Sequence, residues 1–362
     1  MITFEIKEVG SNNMTHTKKT DSAEKRLQSR LQHLRNACEN IALDKNIHKQ
    51  RNLEITLAQG RLKMCGLEKT ASTFMKQLKG REKSEVKTSA DRQNEEPQQK
   101  SEPKHDPENF KTFVIVREPY GRLVSAFIDK LYTRSLWWSN FGSYIIKKFR
   151  FQATNEMSEC GSDVSFPEFI RYWIHALETD HRRDGHFDPM HRECQFCLFN
   201  YDYFVHLETL LSDMTYIYQS VNATLISTMD DEEDTIRDKA ADIINQRQGG
   251  SFQKCEGSCD MLNRAWWSFH ARGLIATDVQ LPLSGDRCDT VTKHEFEDIA
   301  WQAHLQSADR IDKRKQRRDA IVELYLQVPI LDRLKVRQIF LNDFKLHGYE
   351  STPSDLFPEL NR

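Results

Sequence analysis

The run Phe110-Lys111-Thr112-Phe113-Val114-Ile115-Val116 constrains the fold more than any other stretch of the chain. It is dense in β-branched and aromatic residues, so it reads as a buried strand. It stops at Arg117-Glu118-Pro119, and the residues from Tyr120 to Leu131 then place Leu123, Val124, Phe127 and Leu131 at helical spacing. Pro119 suits the first turn of that helix, where its missing N–H costs nothing. An earlier stretch repeats the pattern. Leu62 to Leu67 reads as a short strand, Glu68-Lys69-Thr70-Ala71-Ser72 as a small-residue turn, and Thr73 to Leu78 as a helix that Thr70 or Ser72 can cap. Two successive strand–turn–helix units imply an α/β domain. Its central parallel sheet would be flanked by helices on both faces, with ligands bound at the carboxyl ends of the strands.

Around this centre the chain changes character. In residues 1–60, Leu27, Leu31, Leu34, Cys38 and Ile41 recur at helical spacing among charges, which predicts a polar, stem-like helical segment, solvated or acting as a packing arm. Residues 61–350 are expected to form the main domain and 351–362 a tail. Within 80–109 the only apolar residues are Val86 and Ala90, so a flexible polar insertion is expected there. Beyond 165 the pattern is mostly helical: Phe166 to Leu177, Tyr203 to Tyr218, Thr235 to Gln246, His294 to Ala303 and Arg317 to Asp343. Residues 248–290 read as irregular.

Charge and apolar runs exclude some function classes. Lys and Arg total 52 against 54 Asp and Glu, a formal net charge of -2. No global basic field exists for nucleic acid, which is therefore not an expected partner, and any polyanion site must be a local patch. No apolar run approaches the ~20 residues of a bilayer span. The start Met1-Ile2-Thr3-Phe4-Glu5 lacks the basic-then-apolar pattern of a leader peptide. Eight cysteines are present. Cys194 and Cys197, with Cys255, Cys259 and His186 or His191, have the residue types of a zinc site; the same cysteines suit disulfides in an oxidising compartment. Asn13-Met14-Thr15 and Asn222-Ala223-Thr224 are N-glycosylation sequons.

Three places can carry chemistry. A strand feeding a small-residue turn and then a helix aims backbone N–H groups at one point, and Lys69 adds a mobile positive charge to that cradle. The plainer reading is an exposed lysine on a surface turn; the glycines of a Walker A loop are missing. Arg117 stands at the carboxyl end of the predicted central strand, with Ser125 eight residues on. A guanidinium fork and a hydroxyl can grip one phosphate. The alternative is an arginine paired to a carboxylate and a serine buried on its helix. His186 suits a general base, with His181 and His191 as competitors.

Taken together these segments resemble a known family. The stretch Val116-Arg117-Glu118-Pro119-Tyr120-Gly121-Arg122-Leu123-Val124-Ser125-Ala126-Phe127-Ile128-Asp129-Lys130 resembles the 3′-phosphate motif of the Golgi carbohydrate sulfotransferases. The nearest branch is that of the chondroitin and dermatan 4-O-sulfotransferases and the HNK-1 sulfotransferase. Cys65 to Lys76 is similar to the family's 5′-phosphosulfate loop. His186-Phe187-Asp188-Pro189, Cys194-Gln195-Phe196-Cys197, Tyr201-Asp202 and Glu208-Thr209-Leu210 follow the order of a third family block, with Phe166-Pro167-Glu168-Phe169 before it and Asp213 after it. Asn342-Asp343-Phe344 to Gly348-Tyr349 is similar to the closing block. The resemblance covers about 62–79, 110–213 and 319–350; residues 228–318 show no clear match and read as a divergent region.

The resemblance implies a P-loop-like sulfotransferase domain using 3′-phosphoadenosine 5′-phosphosulfate (PAPS) as co-substrate, without a metal. Lys69, Thr70, Ala71, Ser72 and Thr73 would hold the 5′-phosphosulfate, Arg117 and Ser125 the 3′-phosphate, and Lys69 and His186 would be catalytic. The acceptor would be a glycan, a glycosaminoglycan or glycoprotein oligosaccharide, for which Lys147, Lys148, Arg150, Arg182 and Arg183 are candidate contacts. The place implied is the Golgi lumen, with a membrane anchor that this chain does not show. Three departures stand out: Glu68 replaces the family's proline, Ala71 its glycine and Phe187 its tryptophan. They admit a catalytically silent homologue as an alternative, beside a zinc-stabilised binding protein.

Overall fold

A computed structural model describes residues 10–41, 53–91, 110–133, 135–225, 230–247 and 255–361. The chain divides into two compact units, one comprising Met1–Glu118, Pro189–Ser227 and Asn342–Tyr349, the other Pro119–Asp188, Thr228–Leu341 and Glu350–Arg362.

The first unit holds a sheet of four strands, in the order β1 (Leu53–Leu57), β2 (Leu62–Cys65), β3 (Lys111–Val116) and β4 (Tyr203–His206). β2, β3 and β4 run parallel, and β1 is an antiparallel edge. Alternation along β3 buries both faces. Phe113 and Ile115 join Met64, Val205, Met75 and Met214 on one side. Val114 and Val116 join Cys65, Phe204, Cys194 and Leu346 on the other. A strand apolar on both faces needs helices on both, which is why this run predicts the layered fold.

Two of the strands differ from the sequence reading. Tyr203–His206 is a strand, not the start of a helix; the helix begins only at Leu210. Four residues give too short a period to tell strand from helix, and the pairing partner decides. Asp202 fixes that pairing, because its Oδ2 accepts the Thr112 N–H at 2.7 Å. β1 lies in the segment expected to be stem-like. Its Leu-Glu-Ile-Thr-Leu alternation turns at Ala58 and Gln59, which have φ of 50° and 55°.

The helix α1 (Gly10–Glu39) packs onto this unit rather than standing in solvent. Ala23, Leu27 and Leu34 are buried on it. Arg26 and Arg30 both pair with Asp213, which is fully buried. The Cys38–Cys197 disulfide ties its carboxyl end to the unit. The helix α2 (Ser72–Asp91) carries on into the stretch expected to be a flexible insertion. Residues 80–91 include good helix formers such as Arg81, Glu82, Lys83 and Lys87 and no proline, so a polar composition does not break the helix. Residues 92–109 lie outside the described residues.

The second unit is helical. The helix α3 (Pro119–Phe127) starts at the expected proline and closes with a wider turn, Ile128–Tyr132. Phe127, Phe166, Phe169 and Phe187 form an aromatic cluster with neighbouring ring centroids 5.0–6.0 Å apart. The helix Ser258–Ala271 crosses the region read as irregular, burying Met261, Leu262, Ala265, Trp266 and Phe269 at helical spacing. Cys259–Cys288 staples it, and Cys160–Cys255 ties the segment just before it. The helical signal over Arg317 to Asp343 is divided: Lys313–Leu326 and Ile330–Ile339, separated at Pro329, belong to this unit, and Leu341–His347 lies almost wholly in the first.

Candidate functional site

The loop between β2 and α2 carries the predicted cradle. Lys69 and Ala71 both have φ of 66°, in the left-handed region, with Thr70 between them. Such sign alternation turns successive peptide N–H groups towards one point, an anion-binding concavity. The α2 amino terminus lies directly behind it, its first bond running from Met75 N to Ala71 O at 3.0 Å. Left-handed geometry costs a non-glycine residue roughly 1–2 kcal/mol, so something must hold it. Thr70 is fully buried, and its hydroxyl donates to Leu67 O at 2.9 Å. Ser72 Oγ donates to Glu68 Oε2 at 3.3 Å, which ties the Glu68 carboxylate to the start of α2. Thr73 is exposed, while Lys69, Ala71 and Ser72 are half-buried. Cys65, the last residue of β2, is bound to Cys194 immediately before the loop.

Arg117 follows the last residue of β3, and its Nη1 donates to Lys69 O at 3.3 Å. The two motifs therefore meet at the carboxyl ends of adjacent parallel strands, as the sequence predicts. That bond also holds the peptide that the left-handed Lys69 strains.

Other motif residues of this unit are scaffolding. Asp343 is fully buried and accepts from Met190 N at 2.9 Å, His191 N at 2.8 Å and His191 Nδ1 at 2.8 Å. Burial alone would raise its pKa; hydrogen bonds and charge from His191 overcome this and set it at about 2. His191 is thus held as a structural partner of Asp343, which argues against it as the base. Tyr349 donates to Glu208 Oε2 at 2.8 Å and stacks on His206 with ring centroids 4.7 Å apart.

Ser125 and His186 lie in the second unit. Ser125 is half-buried on α3. His186 sits in a loop held by backbone carbonyls: Arg122, itself buried, donates to Asp188 O at 2.6 Å and Gly185 O at 3.0 Å, and Trp173 Nε1 donates to Phe187 O at 2.7 Å. Phe187 is buried against Trp137, Phe141 and Phe169, so it fills an aromatic core. The sequence reading missed Asp184. Its Oδ1 accepts from the His186 backbone N–H at 2.8 Å and lies 2.6 Å from Nδ1. Burial pushes the Asp184 carboxyl up, and the His186 bonds more than offset it, so it stays ionised below its usual range. An ionised carboxylate at Nδ1 selects the tautomer with its lone pair on Nε2, the form a general base needs. The signal was Asp-Gly-His, since an aspartate commonly bonds the backbone two residues on.

The basic cluster is largely engaged in structure. Arg150 bonds Glu168 and Asp163, Arg183 bonds Asp180 and Asp188, and Arg182 lies over Tyr144 and donates to Asn140. Lys148 contacts His175, and Lys147 is exposed. The zinc reading fails on its ligands: Cys194 and Cys197 are bound to Cys65 and Cys38, and Cys255 and Cys259 to Cys160 and Cys288, so all four candidate thiolates are in disulfides.

Comparison with known sequences now decides the family. The sequence model of the Sulfotransferase family matches residues 55–247, just over half of the chain, taking in β2, β3, β4 and most of β1. The chain belongs to the sulfotransferase family. Similar proteins include carbohydrate sulfotransferase 14 of Danio rerio, 34% identical over 120 residues, a stretch covering 33% of this chain and 32% of the relative. Carbohydrate sulfotransferase 9 of Homo sapiens is 42% identical over 114 residues, covering 30% of this chain and 25% of the relative. Carbohydrate sulfotransferase 8 of Mus musculus is 34% identical over 123 residues, covering 33% and 28%. The match thus spans about a third or less of these relatives' length. No solved structure matches the chain.

Proposed function

We propose that this sulfotransferase moves a sulfuryl group from PAPS to a hydroxyl of a glycan, chondroitin- or dermatan-like or another carbohydrate. The observation that carries the reading is the Arg117–Lys69 O bond, which sets a guanidinium beside a loop with left-handed residues at Lys69 and Ala71, a geometry suited to anion-binding amides. Two cationic side chains and a cluster of amide donors suit a ligand with separate phosphate groups.

In this reading the bond between sulfur and the bridging oxygen breaks as the acceptor oxygen attacks in line. The electron pair leaves on the 5′-phosphate of 3′-phosphoadenosine 5′-phosphate. Lys69 and the amides of residues 70–73 stabilise that developing charge, much as in phosphoryl transfer. Arg117 holds the 3′-phosphate, and the motif resemblance assigns Ser125 a hydroxyl contact to that phosphate. His186 Nε2 takes the acceptor hydroxyl's proton, with Asp184 stabilising the imidazolium. No metal enters these steps.

A lumenal, Golgi location fits the four disulfides, because such pairing persists in oxidising compartments. Among the described residues no helix is long and apolar enough to cross a membrane. Titration of the purified chain with 3′-phosphoadenosine 5′-phosphate tests the donor site. Micromolar binding is expected, and no binding at millimolar concentration would refute it. Binding without transfer to any glycan would favour the silent homologue.

A further inference from the structure

We infer that Asn222 is an N-glycosylation site, and that its glycan projects from the amino edge of the sheet, away from the loop that carries Lys69. Asn222-Ala223-Thr224 follows the helix Leu210–Ser220 in a surface turn. Asn222 and Thr224 are exposed, whereas Ala223 packs against the core beneath β1 and β2. The sequon therefore shows its two recognised side chains to solvent and anchors itself through the middle one. Ala223 N donates to Tyr218 O at 2.9 Å, and Asn222 has φ of 54°, a conformation asparagine tolerates well. The Asn222 bonds to its surroundings are made by its backbone: its N–H donates to Gln219 O at 3.0 Å, and its carbonyl accepts from Arg61 Nη1 at 3.0 Å. Among the described residues nothing bonds the side-chain amide that the modification needs.

Arg61 fixes the direction. It also donates to Val221 O at 2.7 Å, and it immediately precedes β2. The turn bearing Asn222 is thus tied to the amino end of β2, while the Lys69 loop leaves its carboxyl end. Four strand residues separate these ends by ~13 Å, at ~3.3 Å per residue. A glycan at Asn222 leaves the ligand edge open. The inference rests on the lumenal location proposed above, which the four disulfides fit and where lipid-pyrophosphate-linked oligosaccharide is available. In the transfer, Asn222 Nδ2 forms a bond to C1 of the first sugar and loses a proton. The C1–O bond to the pyrophosphate breaks, and the lipid pyrophosphate leaves with the electron pair. The second sequon, at Asn13, has its side chains outside the described residues.

The test is expression of the full chain behind a cleavable secretory leader in eukaryotic cells, followed by enzymatic deglycosylation in ¹⁸O water and peptide mass mapping. Conversion of Asn222 to ¹⁸O-labelled aspartate is expected in most chains. Asn222→Gln and Thr224→Ala should abolish it, and Thr224→Ser should retain it. Affinity for 3′-phosphoadenosine 5′-phosphate should stay within twofold in Asn222→Gln. Recovery of unmodified Asn222 from chains whose disulfides have formed would overturn the site. A tenfold change in nucleotide affinity on removing the glycan would overturn its placement. Neither result depends on catalysis, so failure here is distinguishable from failure of the transferase reading.

Discussion

Replacing Arg117 by alanine removes a cation from the carboxyl end of β3 and the bond to Lys69 O. That bond is 3.3 Å long, at the weak end for a charged donor, so its loss should cost the fold no more than about 1.5 kcal/mol. The larger effect should fall on the ligand. Truncating one side of a desolvated, charge-assisted pair costs roughly 2–5 kcal/mol, and Arg117 is only half-buried, which puts the expectation at about 2–3 kcal/mol. At ~1.4 kcal/mol per decade, affinity for 3′-phosphoadenosine 5′-phosphate should fall about 30- to 140-fold. Isothermal titration at one fixed salt concentration measures it. Arg117→Lys keeps the charge and loses the fork, so it should recover only part of the loss. A folded Arg117→Ala protein that binds within threefold of the parent would refute the assignment.

Lys69→Ala should lower turnover more than it lowers binding of the desulfated nucleotide, because its charge is needed most as the bridge breaks; comparing kcat with Kd checks this. Asp184→Asn should leave nucleotide affinity unchanged and reduce kcat by roughly 10²–10⁴-fold, as expected when a general base loses its orienting carboxylate. An Asp184→Asn enzyme with the parent's rate and pH profile would move the base elsewhere, with exposed His181 the next candidate. Asp343 titrates in the fold at about 2, below its unfolded value. It stabilises the fold above pH ~4, and that contribution, about 2–3 kcal/mol, fades as pH falls towards 2. Urea unfolding should therefore show a steeper loss between pH 5 and pH 2 in the parent than in Asp343→Asn.

Much of this site was legible because the local patterns were strong. The β3 run is apolar on both faces, and Arg117 and Lys69 each follow a strand within a few residues, so their meeting at one sheet edge follows from parallel pairing. β4 was not legible, since four residues running into a helix carry no periodicity of their own. The helix Ser258–Ala271 was hidden by the cysteines and glycines around it, although Met261, Leu262, Ala265, Trp266 and Phe269 had the right spacing. Disulfide partners separated by 159 and 129 residues depend on the tertiary fold, not on local pattern. Asp184 was overlooked because an aspartate beside a glycine reads first as a turn; its second role shows only when His186 Nδ1 is seen 2.6 Å away.

The most direct measurement is transfer of ³⁵S-sulfate from labelled PAPS to a panel of desulfated chondroitin, dermatan and neutral oligosaccharides. Label should appear on at least one glycan, with equimolar release of 3′-phosphoadenosine 5′-phosphate, and should disappear with Lys69→Ala. A folded, fully disulfide-bonded chain that binds the nucleotide yet labels none of them would contradict the transferase reading.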